Sequence, residues 1–459
     1  MKKIILLLFG LWSIFNCNAQ TWSEVGTGNK ALNAEGIIST ITSDKNGNIY
    51  AAGELLDSSV HQYAHRYIAK WNGSNWSNIS RGLKFNNRIH TIITDTKGNL
   101  YAAGRFTDSL SQNKGKCFVA KWDGLTWQSL GVGTHSLNAN APINVIAVDS
   151  SGIVYAAGEF TDSTTSMKGK CYVAKWDGTD WSEVQNGNSF KANYSINAMI
   201  IDKQERVIIG GNFHDTISGT KKYYLMAFNG VNWYPIGNVS TQSQYISYGA
   251  FKEIVVDTAN NIFACGNDTR VVRYDGSNWN VVGYTSPHTF YSNYSFESLA
   301  ADDKGNVYAG SKVVKKWDGN DWTQLDSLNV NSDVVYALHY SGSALYAAGQ
   351  FYDTAGYPYV AKYDLSIGIQ SVLQNNIQNN LLLYPNPVSN QLSIVSSSAE
   401  IKALQVSNIM GQPMLCNIEQ IENSNHTVKL CTENLSSGIY FIKVMDRKGN
   451  ISSSKFVKE

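Results

Sequence analysis

This chain has few cysteines, almost no excess of one charge over the other, and few long hydrophobic runs. Its 459 residues carry 37 Lys and Arg against 36 Asp and Glu, a formal net charge of +1, and no basic tract is present. Proteins that bind nucleic acid need a positive surface, so this balance predicts no nucleic-acid partner. The 6 cysteines show no spacing typical of a zinc site, so the sequence predicts no metal.

The one long apolar run lies at the N-terminus. Two lysines precede an apolar stretch over residues 4–15, and small or polar residues follow it up to Ala19. This arrangement is typical of a secretory signal peptide, which we predict over residues 1–19. The run is too short to span a bilayer, and we expect a soluble mature chain without a transmembrane segment. A lipoprotein signal, with Cys17 lipidated, is the alternative, although the residues before Cys17 fit it poorly.

Tryptophan is frequent, and eleven of the 12 tryptophans lie on a repeat whose fullest form is Lys-Trp-Asp-Gly-x-x-Trp. The copies occupy residues 70–76, 121–127, 175–181, 227–233, 273–279, 316–322 and, without the second Trp, 362–365. A period of roughly 40 to 55 residues indicates a β-propeller or a solenoid. The seven copies therefore predict seven structural units.

Each repeat has the pattern of four short antiparallel strands. An apolar stretch ends in Asp and is followed by a turn containing Gly, as at residues 44–48, where Asp bonds its own backbone and Gly supplies positive φ. A Tyr-Ala-Ala-Gly strand comes next, as at residues 50–53, then the Lys-Trp strand, an Asp-Gly turn and the second Trp. Asp-Gly between apolar runs is a strong hairpin signal. Four such strands, repeated radially, describe a propeller blade.

The two ends of the repeat array complement each other. The last repeat, residues 334–365, has only three strands, whereas residues 21–26 match the missing fourth. Pairing the N-terminal strand with the last repeat would close a ring and remove two open sheet edges. A solenoid would not need this exchange. We therefore predict an all-β fold with a seven-bladed β-propeller over residues 20–365, in which Trp22 pairs with residues 360–363.

A separate domain follows the repeats. Residues 366–380 are rich in Asn and Gln and are predicted to form a linker, and residues 381–459 contain short alternating strands typical of a small β-sandwich. Three sequence elements occur in order: Leu-Tyr-Pro-Asn-Pro at 383–387, Asn-Ile-Met-Gly-Gln at 408–412 and Leu-Ser-Ser-Gly-Ile-Tyr at 435–440. Their characteristic residues are Tyr384, Pro385, Asn386, Pro387, Gly411, Gly438 and Tyr440.

With these elements the segment resembles the type A C-terminal sorting domain of the Bacteroidota type IX secretion system. The resemblance implies recognition by the secretion machinery, export across the outer membrane, and then removal of the domain or anchoring of the protein at the cell surface. It therefore implies a secreted, extracellular or surface-located protein. An accessory adhesive β-domain is the alternative. The repeat half resembles kelch-like propellers at the level of the repeat only, which implies a fold and not an activity.

The cysteines beyond Cys17 have separate expected roles. Cys117 and Cys171 occupy the same position in neighbouring repeats, too far apart for the spacing that a disulfide needs. Cys265 replaces an Ala and is expected to be a small buried residue. Cys416 and Cys431 share the C-terminal domain and could form a bridge in an oxidising compartment.

One face of the propeller is expected to carry the function. The connections between the second and third strands, and from each blade to the next, are long and variable, and both classes fall on the same face. The position after the Gly of the second strand differs between repeats: Glu54, Arg105, Glu159, Asn212, Asn267 and Gln350. So does a position near the start of the innermost strand: Ser39, His90, Asn144, Asn197, Lys252 and Glu297. We expect both sets around the mouth of the central channel, where they bind a polar ligand or only pair with each other and with water.

Aromatic residues concentrate in two neighbouring connections on that face. The candidates are Tyr245, Tyr248, His288, Phe290, Tyr291 and Tyr294. Exposed aromatic rings can stack on sugar rings or anchor a protein partner, but such loops can also be packed by their own rings. Phe251 and Phe296 align with apolar strand positions and are expected to belong to the core.

Motifs of common enzymes are missing. The sequence has no Gly-x-Ser-x-Gly, no His-Glu-x-x-His and no Gly-rich phosphate loop. We therefore expect no catalytic residue, no cofactor and a protein that is not an enzyme but binds a glycan or a protein on the long-loop face. The alternative is a secreted carbohydrate-active hydrolase or lyase, with a site built from non-equivalent loop residues at the channel mouth.

Overall fold

The computed structural model divides into two compact units, Met1–Ser366 and Ile367–Glu459. The structure describes residues 21–459 except 33, 57–64, 84, 109–113, 164–167, 186–189, 218–219, 238–248, 284–293, 326–327, 329–333, 354, 366–380, 397–400, 409–411, 415, 421–426 and 447–450. The predicted signal peptide and linker lie outside the described residues. Among the helices that the structure does describe, none has the length and apolar character that crossing a membrane requires.

The first unit is built of seven four-stranded antiparallel sheets, which we call blades 1 to 7. From the innermost to the outermost strand, blade 1 contains Ile38–Ser43, Ile49–Gly53, Ala69–Trp71 and Trp76–Asn78; blade 2, Ile89–Thr94, Leu100–Gly104, Ala120–Trp122 and Trp127–Ser129; blade 3, Ile143–Val148, Val154–Gly158, Ala174–Trp176 and Trp181–Glu183; blade 4, Ile196–Ile201, Val207–Gly211, Met226–Phe228 and Trp233–Pro235. Blade 5 contains Phe251–Val256, Ile262–Gly266, Val272–Tyr274 and Trp279–Val281; blade 6, Ser298–Ala301, Val307–Gly310, Val314–Trp317 and Trp322–Gln324; blade 7, Val335–Ser341, Ala344–Gly349, Ala361–Asp364 and Trp22–Glu24. Short 3-10 turns lie at Gly28–Lys30 and Gly133–His135, and blade 4 carries an extra hairpin of His214–Ile217 and Thr220–Tyr223.

The N-terminal strand closes the ring, as the sequence predicted. Trp22 pairs with Tyr363 and Glu24 pairs with Ala361, and the rings of Trp22 and Tyr363 lie 5.2 Å apart. The innermost strand of each blade contacts that of the next, and the innermost strand of blade 7 contacts that of blade 1. The predicted seven-bladed propeller with a shared last blade is therefore confirmed.

The repeated tryptophans fasten neighbouring blades together. The indole N–H of Trp181 donates to the carbonyl of Leu130 in the preceding blade at 2.8 Å. Equivalent bonds join Trp76 to Val25, Trp127 to Ile79, Trp233 to Val184, Trp279 to Ile236 and Trp322 to Val282. A large ring that is buried while its N–H is satisfied is favourable on both counts. The buried indole N–H of Trp22 is the exception and has no hydrogen-bond partner.

The Asp residues that end the innermost strands are turn formers. Asp44 Oδ1 accepts the backbone N–H groups of Asn46 and Asn48 at 2.9 and 3.0 Å, and Asp44 Oδ2 accepts the Tyr50 hydroxyl at 2.9 Å. Equivalent turns form at Asp95, Asp149, Asp202, Asp257 and Asp302. These carboxylates organise the turns that join the first and second strands, at the end of each blade that we call the short-turn end.

The second unit is a β-sandwich, in agreement with the predicted fold. One sheet contains Leu381–Tyr384, Gln391–Ser396, Thr427–Cys431 and Ile418–Gln420, and the other contains Pro413–Met414, Ile401–Asn408, Gly438–Asp446 and Ile451–Lys458. Buried side chains of both sheets, among them Leu392, Leu430, Ile442 and Phe456, share one core.

All five described cysteines are free. Cys265 is buried, as predicted, and Cys117 and Cys171 are buried as well. Cys416 and Cys431 are partly exposed, and the bridge that the sequence allowed between them is not formed in this structure.

Candidate functional site

A β-bulge shapes the channel mouth in most blades. In blade 2, the pairing of the innermost strand with its neighbour shifts between Ile89 and Thr91, so that His90 is the extra residue. The same shift makes Ser39, Asn144, Asn197, Lys252 and Tyr336 the extra residues of blades 1, 3, 4, 5 and 7. A bulge turns the extra side chain away from its usual direction. In blade 6, Glu297 immediately precedes the innermost strand.

These seven side chains come together around one depression, which we call the channel mouth. It has a volume of about 390 Å³, and its lining also includes Arg88 and Arg105. The mouth thus receives one side chain from every blade, and only blades 3 and 4 contribute the same residue type, Asn.

The Gly at the end of the second strand makes this geometry possible. A Cβ on Gly104 would lie 2.3 Å from the Arg88 carbonyl oxygen and 2.8 Å from the His90 nitrogen. Only Gly lets the two backbones approach so closely. The backbone N–H of the next residue, Arg105, donates to the Arg88 carbonyl at 2.9 Å. This bond holds the Arg105 backbone at the mouth.

Side chains at the mouth are linked between blades. His90 Nδ1 lies 3.2 Å from Asn144 Oδ1, and Asn144 Nδ2 donates to Asn197 Oδ1 at 3.1 Å. Lys252 Nζ lies 2.5 Å from Glu297 Oε1. The mouth is therefore a network of amide, imidazole and ion-pair contacts, each of which spans two blades.

Two further ion pairs lie at the edge of the mouth. Arg88 contacts Glu54 at 3.3 Å, and Arg105 contacts Glu159 at 3.6 Å with its side chain 50% exposed. Exposed pairs of this kind contribute only about 0–1 kcal/mol, so these side chains can exchange their partners for a ligand at little cost.

The imidazole of His90 is held neutral. Desolvation, together with the positive charges of Arg88 and Arg105, lowers the pKa of His90 to about 4. At neutral pH His90 therefore offers one donor and one acceptor without charge, which suits hydrogen bonding to a polar uncharged group.

The structure places the sequence candidates as follows. His90, Arg105, Lys252 and Glu297 line the mouth, whereas Glu54 and Glu159 pair with its arginines. Sequence reasoning missed Tyr336 and Arg88. Tyr336 occupies in blade 7 the repeat position of His90, so extending the alignment by one repeat would have found it. Arg88 gave no such signal, because the position before the bulged strand is Ile37, Pro142 or Ser195 in other repeats.

Of the six aromatic candidates, the structure describes only Tyr294. Tyr245, Tyr248, His288, Phe290 and Tyr291 lie outside the described residues. Tyr294 is 49% exposed, and Lys312 Nζ lies 4.0 Å from its ring centre. Phe251 and Phe296 are buried, which confirms the prediction that they belong to the core.

Other long connections carry exposed aromatic residues that sequence reasoning missed. Tyr194 leads into blade 4, and Tyr352 and Tyr357 lie between the second and third strands of blade 7; all three are exposed. The Tyr194 ring stacks on His214 with centroids 4.9 Å apart. Isolated tyrosines in the sequence gave no cluster signal, so only the closed ring shows that they belong to the same face as Tyr294.

Within the part of the chain that the structure describes, no group of three or more His, Cys, Asp or Glu side chains could hold a metal ion.

The sorting elements hold the second unit together. Asn386 Oδ1 accepts the Val457 N–H at 2.9 Å, and Asn386 Nδ2 donates to the Lys455 carbonyl at 3.3 Å. Tyr440 is buried, donates its hydroxyl to the Ser436 carbonyl at 2.8 Å and stacks on Phe456. These residues thus join the first element to the C-terminal strand.

The remaining residues of these elements have different positions. Tyr384 is exposed and ends the strand that leads into Pro385 and Pro387. Gly438 begins the strand that carries Tyr440. Gly411 lies outside the described residues.

Comparison with known proteins identifies the C-terminal unit. Residues 382–459 match the family described as "Secretion system C-terminal sorting domain". This confirms the sorting domain predicted from the sequence, and it implies that the protein interacts with the type IX machinery and is exported to the cell surface or secreted. A search of the curated proteins finds no match to the chain.

Several solved structures are similar to the chain at low sequence identity. PorZ, described as an essential surface component of the type IX secretion system of Porphyromonas gingivalis, is 13% identical with a TM-score of 0.49; the match covers 91% of this chain and 59% of PorZ. YCF48 bound to a D1 peptide is 11% identical with a TM-score of 0.49, covering 76% and 96% of the two chains. YCF48 from Cyanidioschyzon merolae is 12% identical with a TM-score of 0.46, covering 75% and 98%.

Proposed function

We propose that this protein is an exported β-propeller that binds a glycan on its long-loop face, with the channel mouth as a central contact and exposed tyrosines around it. The observation that carries the proposal is the convergence of seven side chains of six residue types, one from each repeated blade, in one depression of about 390 Å³. A scaffold that needed only stability would not require this diversity at one repeat position. A protein partner on the same face is the other outcome of the tests below.

The chemistry of the face suits a polar, uncharged ligand. Lys252 is paired with Glu297 and Arg105 with Glu159, so the mouth has little net charge. Neutral His90 and the amides of Asn144 and Asn197 supply hydrogen-bond donors and acceptors. Hydroxyl groups of sugars both donate and accept, and tyrosine rings pack against the apolar faces of sugar rings.

Binding of the mature chain to a glycan array tests the proposal. Arg105→Ala and Tyr294→Ala should each weaken binding to the glycan that is found, because both remove side chains from the long-loop face. Leu125→Ala is the matched control, since Leu125 is exposed at the short-turn end of blade 2. If no glycan binds, or if the control weakens binding as much as the two variants do, the proposal is wrong.

A hydrolase or lyase is the second candidate, and Glu253 is the observation that favours it. Glu253 follows Lys252 in the innermost strand of blade 5, and desolvation raises the pKa of its carboxyl to about 7. Glycosidases use one carboxylic acid of raised pKa together with a second carboxylate, and Glu297 is the carboxylate that lines the mouth. Turnover of a polysaccharide by the purified chain, abolished in Glu253→Gln, would support catalysis; an equal rate in that variant would exclude Glu253 from it.

Export is tested separately by removing the second unit. A chain that ends at Asn376 keeps every described strand of the propeller and should fold, but it should no longer reach the surface of a host with a working type IX system. Normal surface levels of the shortened chain would contradict the role of the sorting domain.

A further inference from the structure

Three neighbouring grooves between blades allow a direct comparison. The connection that enters each groove makes the same backbone bridge, which pairs Phe85 with Arg66, Ala139 with Cys117 and Ala192 with Cys171. The residues two positions earlier in these connections are Leu83, Leu137 and Phe190. Equivalent positions therefore hold Leu and Phe in the first groove, Leu and Ala in the second, and Phe and Ala in the third.

An aromatic ring fills the first and third grooves. Between blades 1 and 2, Phe85 is fully buried, with its ring 5.5 Å from Trp127. Between blades 3 and 4, the ring of Phe190 lies 5.6 Å from Trp233. Both tryptophans are buried, with 2% and 4% of their surface exposed.

The groove between blades 2 and 3 lacks such a ring. Leu137 and Ala139 stand where its neighbours have Phe190 and Phe85, and a cavity of about 410 Å³ remains. Trp181, equivalent to Trp127 and Trp233, is only partly buried and lines this cavity together with Tyr172. The volume lies in the range of about 300–1,000 Å³ that is typical of small-molecule sites.

A buried ion-pair cluster lies beside the cavity. Lys191 Nζ contacts Asp162 Oδ2 at 2.7 Å and Glu183 Oε2 at 2.5 Å, and the three side chains are only 9%, 14% and 19% exposed. The Lys191 ammonium also lies 4.7 Å from the centre of the Tyr172 ring. Lys191 thus fixes both carboxylates and stiffens the Tyr172 side of the cavity.

Two acceptors at the cavity have no partner. Glu183 Oε1 and Asn138 Oδ1 are buried side-chain oxygens without a hydrogen bond, and both residues line the cavity. A buried acceptor without a hydrogen bond is unfavourable, so a ligand that donates hydrogen bonds there would be stabilised.

We propose that this groove binds one terminal unit of a neutral sugar, with an apolar ring face against Trp181 and hydroxyl groups donating to Glu183 and Asn138. The inference rests on the proposed function, because it locates a glycan subsite on the long-loop face. A cavity of about 410 Å³ has room for a single sugar ring, whereas a folded protein surface could not enter it.

The test uses the full mature chain and neutral methyl glycosides of hexoses and N-acetylhexosamines, with binding followed by ligand-observed NMR and calorimetry. Leu137→Phe places a ring where blade 4 has Phe190 and should weaken binding at least tenfold without unfolding the protein. Leu125→Phe, at an exposed turn, is the matched control and should bind as the wild type does. Glu183→Gln replaces one acceptor by a donor in nearly the same shape and should weaken binding several-fold.

Two results would overturn the inference. The first is that no methyl glycoside binds the wild-type chain. The second is that Leu137→Phe and Glu183→Gln bind as well as the wild type. A glycan whose binding is lost in Arg105→Ala but kept in Leu137→Phe would leave the proposed function intact and exclude this groove as its subsite.

Discussion

The two ends of the propeller blades are formed by the same strands but differ in how much their residues vary between blades. At the short-turn end, Asp44 and its five equivalents organise nearly identical turns. At the channel mouth the backbone is just as regular, with a bulge at one position in six blades, yet five residue types occupy that position in the six blades. Because the backbone is constant while the residue type varies, a repeated fold can assemble a site that is not itself repeated.

The difference has a physical basis. A turn Asp is constrained by the backbone donors that it must satisfy, and of the other side chains only Asn offers an acceptor oxygen at the same reach. At the mouth, the backbone bulge sets the direction in which the side chain points, whatever that side chain is. Folding therefore places little constraint on the residue type at this position. We therefore expect stability to depend mainly on the short-turn end and on the contacts between blades, and the proposed binding to depend on the long-loop end.

The largest expected effect comes from opening the ring. Ring closure is what brings all seven blades to one mouth. Deleting residues 21–26 removes the strand that pairs with Tyr363 and also the Val25 carbonyl that accepts the Trp76 indole N–H at 2.8 Å. We expect a loss of about 3–5 kcal/mol in the free energy of unfolding, from the lost burial and the cavity left behind. Urea unfolding followed by tryptophan fluorescence measures it.

Ser23→Ala is the control for this deletion, because Ser23 is exposed and its hydroxyl makes only one bond, 3.3 Å long, to the Lys362 carbonyl. Its unfolding midpoint should stay that of the wild type. An unchanged midpoint in the deletion itself would contradict ring closure.

The second prediction compares one side chain from each end. Asp302 is buried and accepts hydrogen bonds from two backbone N–H groups, from Asn306 Nδ2 and from the Tyr308 hydroxyl. Asp302→Ala leaves these donors unsatisfied and should cost about 2–4 kcal/mol. Asn197→Ala at the mouth should cost less than about 1 kcal/mol. Chemical unfolding of both variants measures the difference, and equal losses would remove the distinction between the two ends.

The third prediction concerns acid. His339 lies at the short-turn end, 2.8 Å from the Ser43 hydroxyl, and desolvation lowers its pKa to about 4. Above pH 6.5 the ring is neutral in both folded and unfolded chains; as the pH falls from 6.5 towards 4, only the unfolded chain takes up the proton, so stability falls. The full loss is on the order of 3 kcal/mol.

Melting temperatures measured between pH 7 and pH 4 test this expectation. His339→Gln should make the profile shallower by removing one of the two such rings that the structure describes, and the slope that remains should come in part from His90, whose pKa is also lowered to about 4. A profile in His339→Gln as steep as that of the wild type would assign the acid sensitivity to other groups.

Much of the fold could be predicted from the sequence because its signals are local and repeated. The Lys-Trp-Asp-Gly element fixes a hairpin, and the match of Trp22 to the second Trp of other repeats gave ring closure. The mouth could be predicted in part, since a position that varies within a constant pattern is visible in an alignment of repeats. The link between the propeller repeats and kelch-like proteins stays a prediction.

The groove between blades 2 and 3 could not be predicted, since it depends on packing between segments distant in the chain. Leu137 and Ala139 are ordinary apolar residues in the sequence. They matter only because Phe190 and Phe85 occupy the equivalent positions against Trp233 and Trp127. The unpaired oxygen of Glu183 likewise depends on how Lys191 reaches across the blade, which no sequence pattern specifies.

The smallest expected effect is at Lys97, an exposed residue of the short-turn end. Only its backbone N–H is used in the turn, donating to Asp95 Oδ1 at 2.9 Å, so Lys97→Ala keeps that bond. We expect a change in unfolding free energy within about 0.5 kcal/mol and an unchanged affinity for any glycan found on the array. Arg105→Ala, which also removes one exposed cation but from the mouth, should weaken binding with an equally small effect on stability. If Lys97→Ala weakened binding as much as Arg105→Ala, the ligand would contact both ends of the blades. The proposal that binding depends on the long-loop end alone would then be wrong.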